Sequence, residues 1–217
     1  MSLQRWNLAS VLLFAAVLAR AQSAQPSPEA PDPAPVTTAP TYAPVTARQR
    51  MRWFVRSTFG PESLGGGLFS AGIDTARDKP VEYGPHWDGF GSRYSMRLSG
   101  VATGNAMEAT ISTLWGEDPR YFRVPNQQFK GRVGHVVLMT FAARRRDGRL
   151  APAYARLIAT PGNNFLSNTW RADSEATIRG AAARTLWGFL GRMSGNAFRE
   201  FWPTARKRIF PSRRSQN

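Results

Sequence analysis

Small residues recur at four-residue intervals in three segments of this chain, and the spacing restricts how those segments can pack. Residues four apart share one face of an α-helix, and a glycine inside a helix costs about 1 kcal/mol relative to alanine. Close approach between helix backbones can recover that cost. The repeated positions are Ser63, Gly67, Ala71 and Thr75, then Gly100 and Gly104, and then Gly191 and Gly195.

This packing is typical of helices in lipid, and it also occurs in water-soluble helical bundles. Charged residues interrupt every predicted helix, and the last one carries four arginines that argue against a membrane-spanning role. These are Arg179, Arg184, Arg192 and Arg199. We therefore expect a water-soluble bundle with closely packed helices.

Apolar periodicity over residues 47–210 predicts an all-α single domain of five or six helices. Thr46 is a candidate cap for a first helix that ends at Gly60, and Pro61 suits the first turn of a second helix that closes at Pro80. Residues 80–92 are rich in Gly and Pro and are predicted to form a loop. The other predicted helices cover 92–115, 130–146, a short segment 152–159 broken at Pro161, and a last helix from Asp173 or Ser174 to Pro203.

One of these helices, over residues 92–115, shows two patterns. Tyr94, Met96 and Leu98 also alternate with polar residues as in a strand, and the composition of residues 104–113 favours a helix. In the helix over 130–146 we expect one face to be buried, and arginines at its end to interact with the helix dipole. The expected buried residues are Val133, Val137, Thr140 and Phe141, and the expected terminal arginines are Arg144, Arg145 and Arg146.

The first 46 residues have the composition of an export signal and a linker. Arg5 precedes an uncharged apolar run from Leu8 to Ala19, and Ala19-Arg20-Ala21 fits a signal-peptidase site. This pattern predicts a signal peptide over 1–21, cleaved after Ala21, and export to the periplasm or to an outer-membrane-associated location; an uncleaved signal anchor is the alternative. Residues 22–46 are rich in Pro, Ala and Thr and predict a disordered, extended linker. The basic residues 211–217 predict a disordered tail.

The chain carries 29 Lys and Arg against 14 Asp and Glu, a net charge of +15, and no cysteine. The lack of cysteine excludes a disulfide scaffold, a thiolate metal site and a cysteine nucleophile. His86 and His135 are the two histidines, so a three-histidine metal site is excluded, and no nucleophile elbow or phosphate-binding loop is present. We predict no cofactor and no metal, and a hydrogen-bonded core position for His135.

Basic residues lie beside aromatic residues at both ends of the predicted domain, which favours an anionic partner. Such a pattern lets aromatic rings enter a membrane interface while cations meet anionic head groups. The predicted partner is anionic lipid or cell-wall polymer, with peripheral membrane contact. Export and the lack of a recognisable motif argue against nucleic acid, and a homo-oligomer is compatible with the small-residue faces. The candidate anion-binding residues are Arg48, Arg52, Arg56, Arg206, Lys207 and Arg208.

An envelope hydrolase acting on a glycan is the alternative hypothesis. Such an enzyme needs two carboxyl groups about 5 to 9.5 Å apart across a cleft, and Glu82 with Glu117 is the pair we nominate. A structural role for Glu117 and Asp118, in ion pairs with Arg120 and Arg123, is the competing interpretation. The candidate catalytic residues are Glu82, His86, Asp88, Glu117 and Asp118.

The strings FSAGIDTARDKP, EYGPHWDGFGSRY, GEDPRYFR, SNTW and EFWP follow one another between Arg50 and Phe210. In this order they resemble an uncharacterised family of secreted bacterial proteins that carry a GEDPRYFR-type motif. The resemblance implies a shared fold and export, and it implies no activity. The sequence therefore predicts an exported envelope protein that binds an anionic surface and has no enzymatic activity of its own.

Overall fold

The computed structural model describes residues 42–209, and within them the fold is all-α, as predicted. Six helices and one short hairpin form the domain; the predicted signal peptide, most of the linker and the basic tail lie outside the described residues. The helices are α1 (Ala47–Phe59), α2 (Pro61–Ala76), α3 (Trp87–Trp115), α4 (Phe129–Phe141), α5 (Tyr154–Leu166) and α6 (Ile178–Ile209). Strands β1 (Ala142–Arg144) and β2 (Leu150–Pro152) form the hairpin.

Helix ends that depend on local chemistry lie where the sequence predicts them. The Thr46 hydroxyl accepts a hydrogen bond from the Gln49 backbone N–H at 3.2 Å, and the Gln49 side chain accepts one from the Thr46 N–H at 3.1 Å. These reciprocal bonds form a capping box at the start of α1. Gly60 separates α1 from α2, and Gly116 ends α3 with a left-handed φ of 67°.

The predicted loop over 80–92 is wrong in its second half, because α3 begins at Trp87. Gly89 lies inside this helix, where a Cβ would come within 2.0 Å of the Gly84 carbonyl oxygen. Arg93 donates hydrogen bonds to the carbonyl oxygens of Lys79 and Gly84, at 2.7 and 2.6 Å. The glycine at 89 therefore permits a close contact between the helix and the preceding loop, which Arg93 holds in place.

The predicted helix over 130–146 is wrong at its end, because α4 stops at Phe141. Residues 142–144 pair with 150–152 in an antiparallel hairpin, with Ala143 opposite Ala151. Asp147-Gly148, a dipeptide typical of turns, lies between the two strands, and Gly148 has a φ of 78°. Arg144 thus lies in a strand and Arg145 and Arg146 follow it, so these arginines do not end a helix.

Two proline predictions are also wrong, and so is the predicted start of the last helix. Pro161 lies within α5 and Pro203 within α6, which continues to Ile209. Proline lacks only one N–H donor, and a packed helix can continue past it when tertiary contacts support the flanking turns. Helix α6 begins at Ile178, after Asp173 and Ser174.

Helix α3 is the centre of the domain and packs against α1, α2 and α5, while α6 packs against α4 and α5. A Cβ at Gly67 would lie 2.9 Å from the Tyr94 ring, and one at Gly104 would lie 3.0 Å from the Asn163 amide nitrogen. At these two positions a side chain of the neighbouring helix lies close to the glycine, so the close approach is between a backbone and a side chain and not between two backbones. The predicted close approach is wrong for Gly191 and Gly195, where an added Cβ would meet no atom within 4 Å.

The core is small and polar. Within residues 42–209, nine of the twelve buried hydrophobic residues are alanines, and the larger three are Trp53, Val136 and Met139. The predicted buried face of α4 is therefore mostly wrong: Thr140 is buried, whereas the other three members are exposed. Those exposed residues are Val133, Val137 and Phe141. None of the helices among residues 42–209 is both long and apolar enough to cross a membrane.

Candidate functional site

Helix α1 carries a row of three exposed arginines, which we call the basic face. Arg48, Arg52 and Arg56 are spaced by four residues, so they lie on one side of the helix. Val55 and Phe59 border the same shallow groove and are 48% and 50% exposed. The basic face therefore combines positive charge with accessible apolar surface, the combination expected of an anion-binding segment.

The opposite side of α1 determines this orientation, because polar side chains attach it to α3. Arg50 is buried and donates hydrogen bonds to the Glu117 carbonyl oxygen at 3.0 Å and to the Ser112 hydroxyl. Thr58 is fully buried and accepts a hydrogen bond from the Asn105 amide at 3.1 Å. Burial lowers the pKa of Arg50. These contacts fix α1 with its basic face outward.

The guanidinium groups of the basic face have no ion-pair partner within residues 42–209. Helix α1 contains no acidic residue, and the ion pairs of the described residues all involve other basic side chains. An arginine without a carboxylate partner keeps its five N–H donors available to an external anion. This face is accordingly able to bind phosphate or carboxylate groups.

The second predicted basic cluster lies at the end of α6. Arg206 and Lys207 are exposed there, and the side chain of Arg208 lies outside the described part of the chain. Arg192, Arg199 and Arg206 are spaced by seven residues and share one face of α6. Glu108 pairs with the first and Glu62 with the second, whereas Arg206 has no ion pair within residues 42–209.

The candidate hydrolase residues are not brought together. Glu82, His86 and Asp88 are exposed and lie before or at the start of α3, and Glu117 and Asp118 follow its end. A helix of 29 residues is about 43 Å long, so Glu82 and Glu117 cannot face each other across a glycan cleft. The shared-cleft hypothesis is therefore wrong.

Glu82 has a local structural role at its own end of the molecule. Its carboxylate accepts hydrogen bonds from the Ser174 N–H at 3.1 Å and the Ser174 hydroxyl at 3.0 Å. Its own backbone N–H and these Ser174 contacts lower the pKa of the Glu82 carboxyl. The carboxylate thereby links the loop before α3 to the segment before α6.

Glu117 and Asp118 follow α3, and both are buried. Their carboxylates form hydrogen bonds that fix the segment after this helix. The Glu117 carboxylate accepts the N–H groups of Tyr154 and Ala155, each at 3.1 Å, and so caps the start of α5. Asp118 forms a bidentate ion pair with Arg120, at 2.9 and 2.6 Å, which confirms the structural interpretation for that pair. The predicted ion pair with Arg123 is wrong.

The last three residues of the GEDPRYFR segment, residues 121–123, form hydrogen bonds with α4 and α6. Arg123 donates to the Glu200 carbonyl oxygen at 3.2 Å, and the Tyr121 hydroxyl donates to the Glu200 carboxylate at 3.0 Å. The same carboxylate forms a buried ion pair with Arg132 at 2.7 Å. His135 contacts the Phe122 carbonyl oxygen at 2.7 Å, so its predicted hydrogen bond is confirmed, but the residue is half-buried and the predicted core position is wrong.

A buried charge cluster that the sequence did not predict joins three helices. Glu108 of α3 pairs with Arg156 of α5 at 3.0 Å and also with Arg192 of α6. The one available signal was an isolated acid within the mainly uncharged segment of α3. Within residues 42–209, no three His, Asp or Glu side chains are grouped in a way that could hold a metal ion.

Replacing Tyr42 with phenylalanine is expected to lower the free energy of unfolding by about 1 to 2 kcal/mol. The Tyr42 hydroxyl donates to the buried Asp118 carboxylate at 2.9 Å. Burial and this bond raise the pKa of Tyr42 to about 12, so the phenol stays a donor at neutral pH. Thermal unfolding followed by circular dichroism measures the loss. Tyr154→Phe, at a ring 43% exposed, is the control and should change little.

Comparisons with protein-family models, with curated proteins and with solved structures found no match to this chain. The geometry of the basic face and of the buried charge clusters is therefore the basis for any functional conclusion.

Proposed function

We propose that this protein is an exported component of the cell envelope that binds an anionic surface through the basic face of α1. Arg206 and Lys207 at the end of α6, with Arg208 beside them in sequence, add a second basic contact. The protein acts by adhesion and performs no chemistry itself. The predicted signal peptide and the Pro-rich linker support export and a tethered position.

The observation that carries the proposal is the combination of unpaired arginines and apolar side chains on one rigid helix face. Each basic residue near an anionic membrane surface contributes about 1 kcal/mol to binding. Arg48, Arg52 and Arg56 together therefore supply about 3 kcal/mol, or roughly a hundredfold in affinity. Because Arg50 and Thr58 fix the helix, little backbone conformational entropy is lost when the face binds.

Lipid head groups fit this face better than a cell-wall polymer does. Val55 and Phe59 are half exposed beside the arginines. A hydrophilic polymer would leave these two side chains in water, whereas the interfacial region of a bilayer accepts them. The same arginines would meet phosphate groups at the level of the lipid head groups.

Vesicle co-sedimentation tests the proposal. The full chain should pellet with vesicles of mixed phosphatidylcholine and phosphatidylglycerol and much less with phosphatidylcholine alone. The triple variant Arg48→Gln, Arg52→Gln and Arg56→Gln should lose about a hundredfold in affinity for the anionic vesicles, following the estimate of about 1 kcal/mol per charge. Salt should weaken the binding of the unmodified chain, because it screens exposed charges.

The matched control removes three exposed arginines from other segments. The variant Arg77→Gln, Arg145→Gln and Arg149→Gln has the same net charge as the first and should keep most of the affinity. Equal losses in the two triple variants would show that net charge acts without a specific face. Equal pelleting of the unmodified chain with both vesicle types, or with neither, would contradict the proposal.

A further inference from the structure

The charged side chains of α4 and α6 have partners within the protein along most of both helices. Between Gly180 and Ala205 the charged residues of α6 are Arg184, Arg192, Arg199 and Glu200. Arg184 donates to the carbonyl oxygens of Glu175 and Asn164, at 2.8 and 3.1 Å, and the others form the ion pairs described above. In α4, Arg132 pairs with Glu200. Between Gly180 and Ala205 of α6, and after Lys130 in α4, every charged side chain therefore has a partner.

The outward sides of the same helices are apolar, and together we call them the apolar face. Its members recur mostly every four residues and are between 39% and 70% exposed. They are Phe129, Val133, Val137 and Phe141 of α4, and Leu186, Leu190, Phe198 and Trp202 of α6.

Aromatic contacts place the two rows side by side. The ring centroids of Phe129 and Phe201 are 5.4 Å apart, and those of Phe141 and Phe189 are also 5.4 Å apart. Because Phe129 begins α4 and Phe141 ends it, the helices run antiparallel. Phe189 and Phe201 share a helix side with neighbouring members of the apolar face. The face is therefore continuous over the length of α4, about 20 Å.

This arrangement reverses the usual distribution of residues in a water-soluble bundle. There, large apolar side chains fill the core and charged ones face the solvent. Within residues 42–209, alanines and hydrogen-bonded charges make up most of the buried residues, whereas most of the large apolar side chains of α4 and α6 face outward. Proteins in lipid have this distribution, because acyl chains solvate apolar side chains and leave polar groups to pair inside.

We infer that the apolar face of α4 and α6 lies among the acyl chains of a lipid bilayer. The inference rests on the proposed function in taking lipid as the partner. It concerns different residues, and it depends on the burial of apolar side chains instead of attraction between charges. Unpaired basic residues border the face: Lys130 at the start of α4, and Arg179 and Arg206 on either side of the central part of α6. Such cations fit the anionic head groups that lie above the acyl chains.

A second copy of the chain is the other occupant to consider, and the distribution of exposed residues disfavours it. Large apolar side chains are also exposed on α2, where Phe69 is 72% exposed, and on α5, where Ile158 is 46% exposed. One self-complementary contact covers one patch on each subunit, whereas acyl chains can cover apolar surface on several helices at once.

Site-directed spin labelling tests the inference, and the absence of cysteine from the chain makes each label unique. Val137→Cys and Leu190→Cys place labels on the apolar face, and Asp147→Cys places a control label in the exposed hairpin turn. Each labelled full chain is bound to mixed phosphatidylcholine and phosphatidylglycerol vesicles. Collisions with dissolved oxygen, which partitions into acyl chains, are compared with collisions with a water-soluble nickel chelate.

We expect the labels at 137 and 190 to lose their collisions with the nickel chelate on vesicles and to gain collisions with oxygen. The label at 147 should stay accessible to the chelate. If all three labels stay accessible while the protein is vesicle-bound, the inference fails and surface binding by the basic face stands. If no labelled chain binds vesicles, both fail. Protection of 137 and 190 without lipid, with a dimeric mass, would assign the face to a second copy and overturn the inference.

Discussion

Glu108→Gln is expected to lower the free energy of unfolding by about 3 to 5 kcal/mol, the cost of breaking a buried charge pair. Glu108 is 3% exposed, and its two carboxylate oxygens accept hydrogen bonds from Arg156 and Arg192. Glutamine keeps the shape but offers one acceptor, and its amide group would face a guanidinium. Two arginines would then lack their counter-charge inside the protein. Chemical unfolding followed by circular dichroism measures the change.

Glu62→Gln is the matched control for this prediction. Glu62 also pairs with an arginine of α6, Arg199, but both side chains are partly exposed, at 44% and 37%. Exposed pairs contribute at most about 1 kcal/mol, so this variant should remain nearly as stable as the unmodified chain. The Glu108 cluster joins α3, α5 and α6, and its large expected contribution depends on its burial. Similar losses of unfolding free energy in the two variants would contradict that burial.

Helix ends and turns that depend on interactions between neighbouring residues could be predicted from the sequence. The Thr46 cap needs Gln49 three residues later, and the end of α3 needs a glycine that tolerates a positive φ at 116. Both signals lie within a few residues of the boundary they set. The same holds for the turn at Gly148. The all-α class followed from such signals and from the apolar period.

Tertiary contacts determine the elements that the sequence did not predict. The chain leaves the helical path after Phe141 because Ala142 to Arg144 pair with residues that follow the turn, and because the Asp118 N–H donates to the Arg144 carbonyl oxygen at 2.8 Å. Pro161 stays inside α5, where Glu117 caps the helix from another part of the chain. No window of a few residues contains this information.

The direction of each apolar face was the least predictable property. Periodicity shows that Val133, Val137 and Phe141 share one side of α4, but it does not show which side faces the other helices. The ion pair between Arg132 and Glu200 determines which side of α4 faces α6. Local periodicity does not show this pair, because Glu200 lies 68 residues later in the chain. For the candidate site, the outward orientation of Arg48, Arg52 and Arg56 likewise depends on distant partners of Arg50.

Glu200→Gln is expected to cost about 3 kcal/mol at neutral pH and progressively less as the solution is acidified. The Glu200 side chain is fully buried and accepts hydrogen bonds from Arg132, Tyr121 and the Val124 N–H. Burial alone would raise the pKa of this carboxyl, but the three donors outweigh burial and lower it below the usual 4.5.

A carboxyl whose pKa is lower in the folded protein contributes its full stabilisation above pH 4.5, and this contribution is lost as the pH falls through the folded pKa. The unmodified chain should therefore lose stability in acid more steeply than Glu200→Gln does, and the two unfolding curves should converge. Unfolding midpoints measured from pH 7 down to about pH 3 test this linkage. A constant difference between the two proteins over that interval would mean that the Glu200 carboxylate does not hold α6 against α4 through its charge.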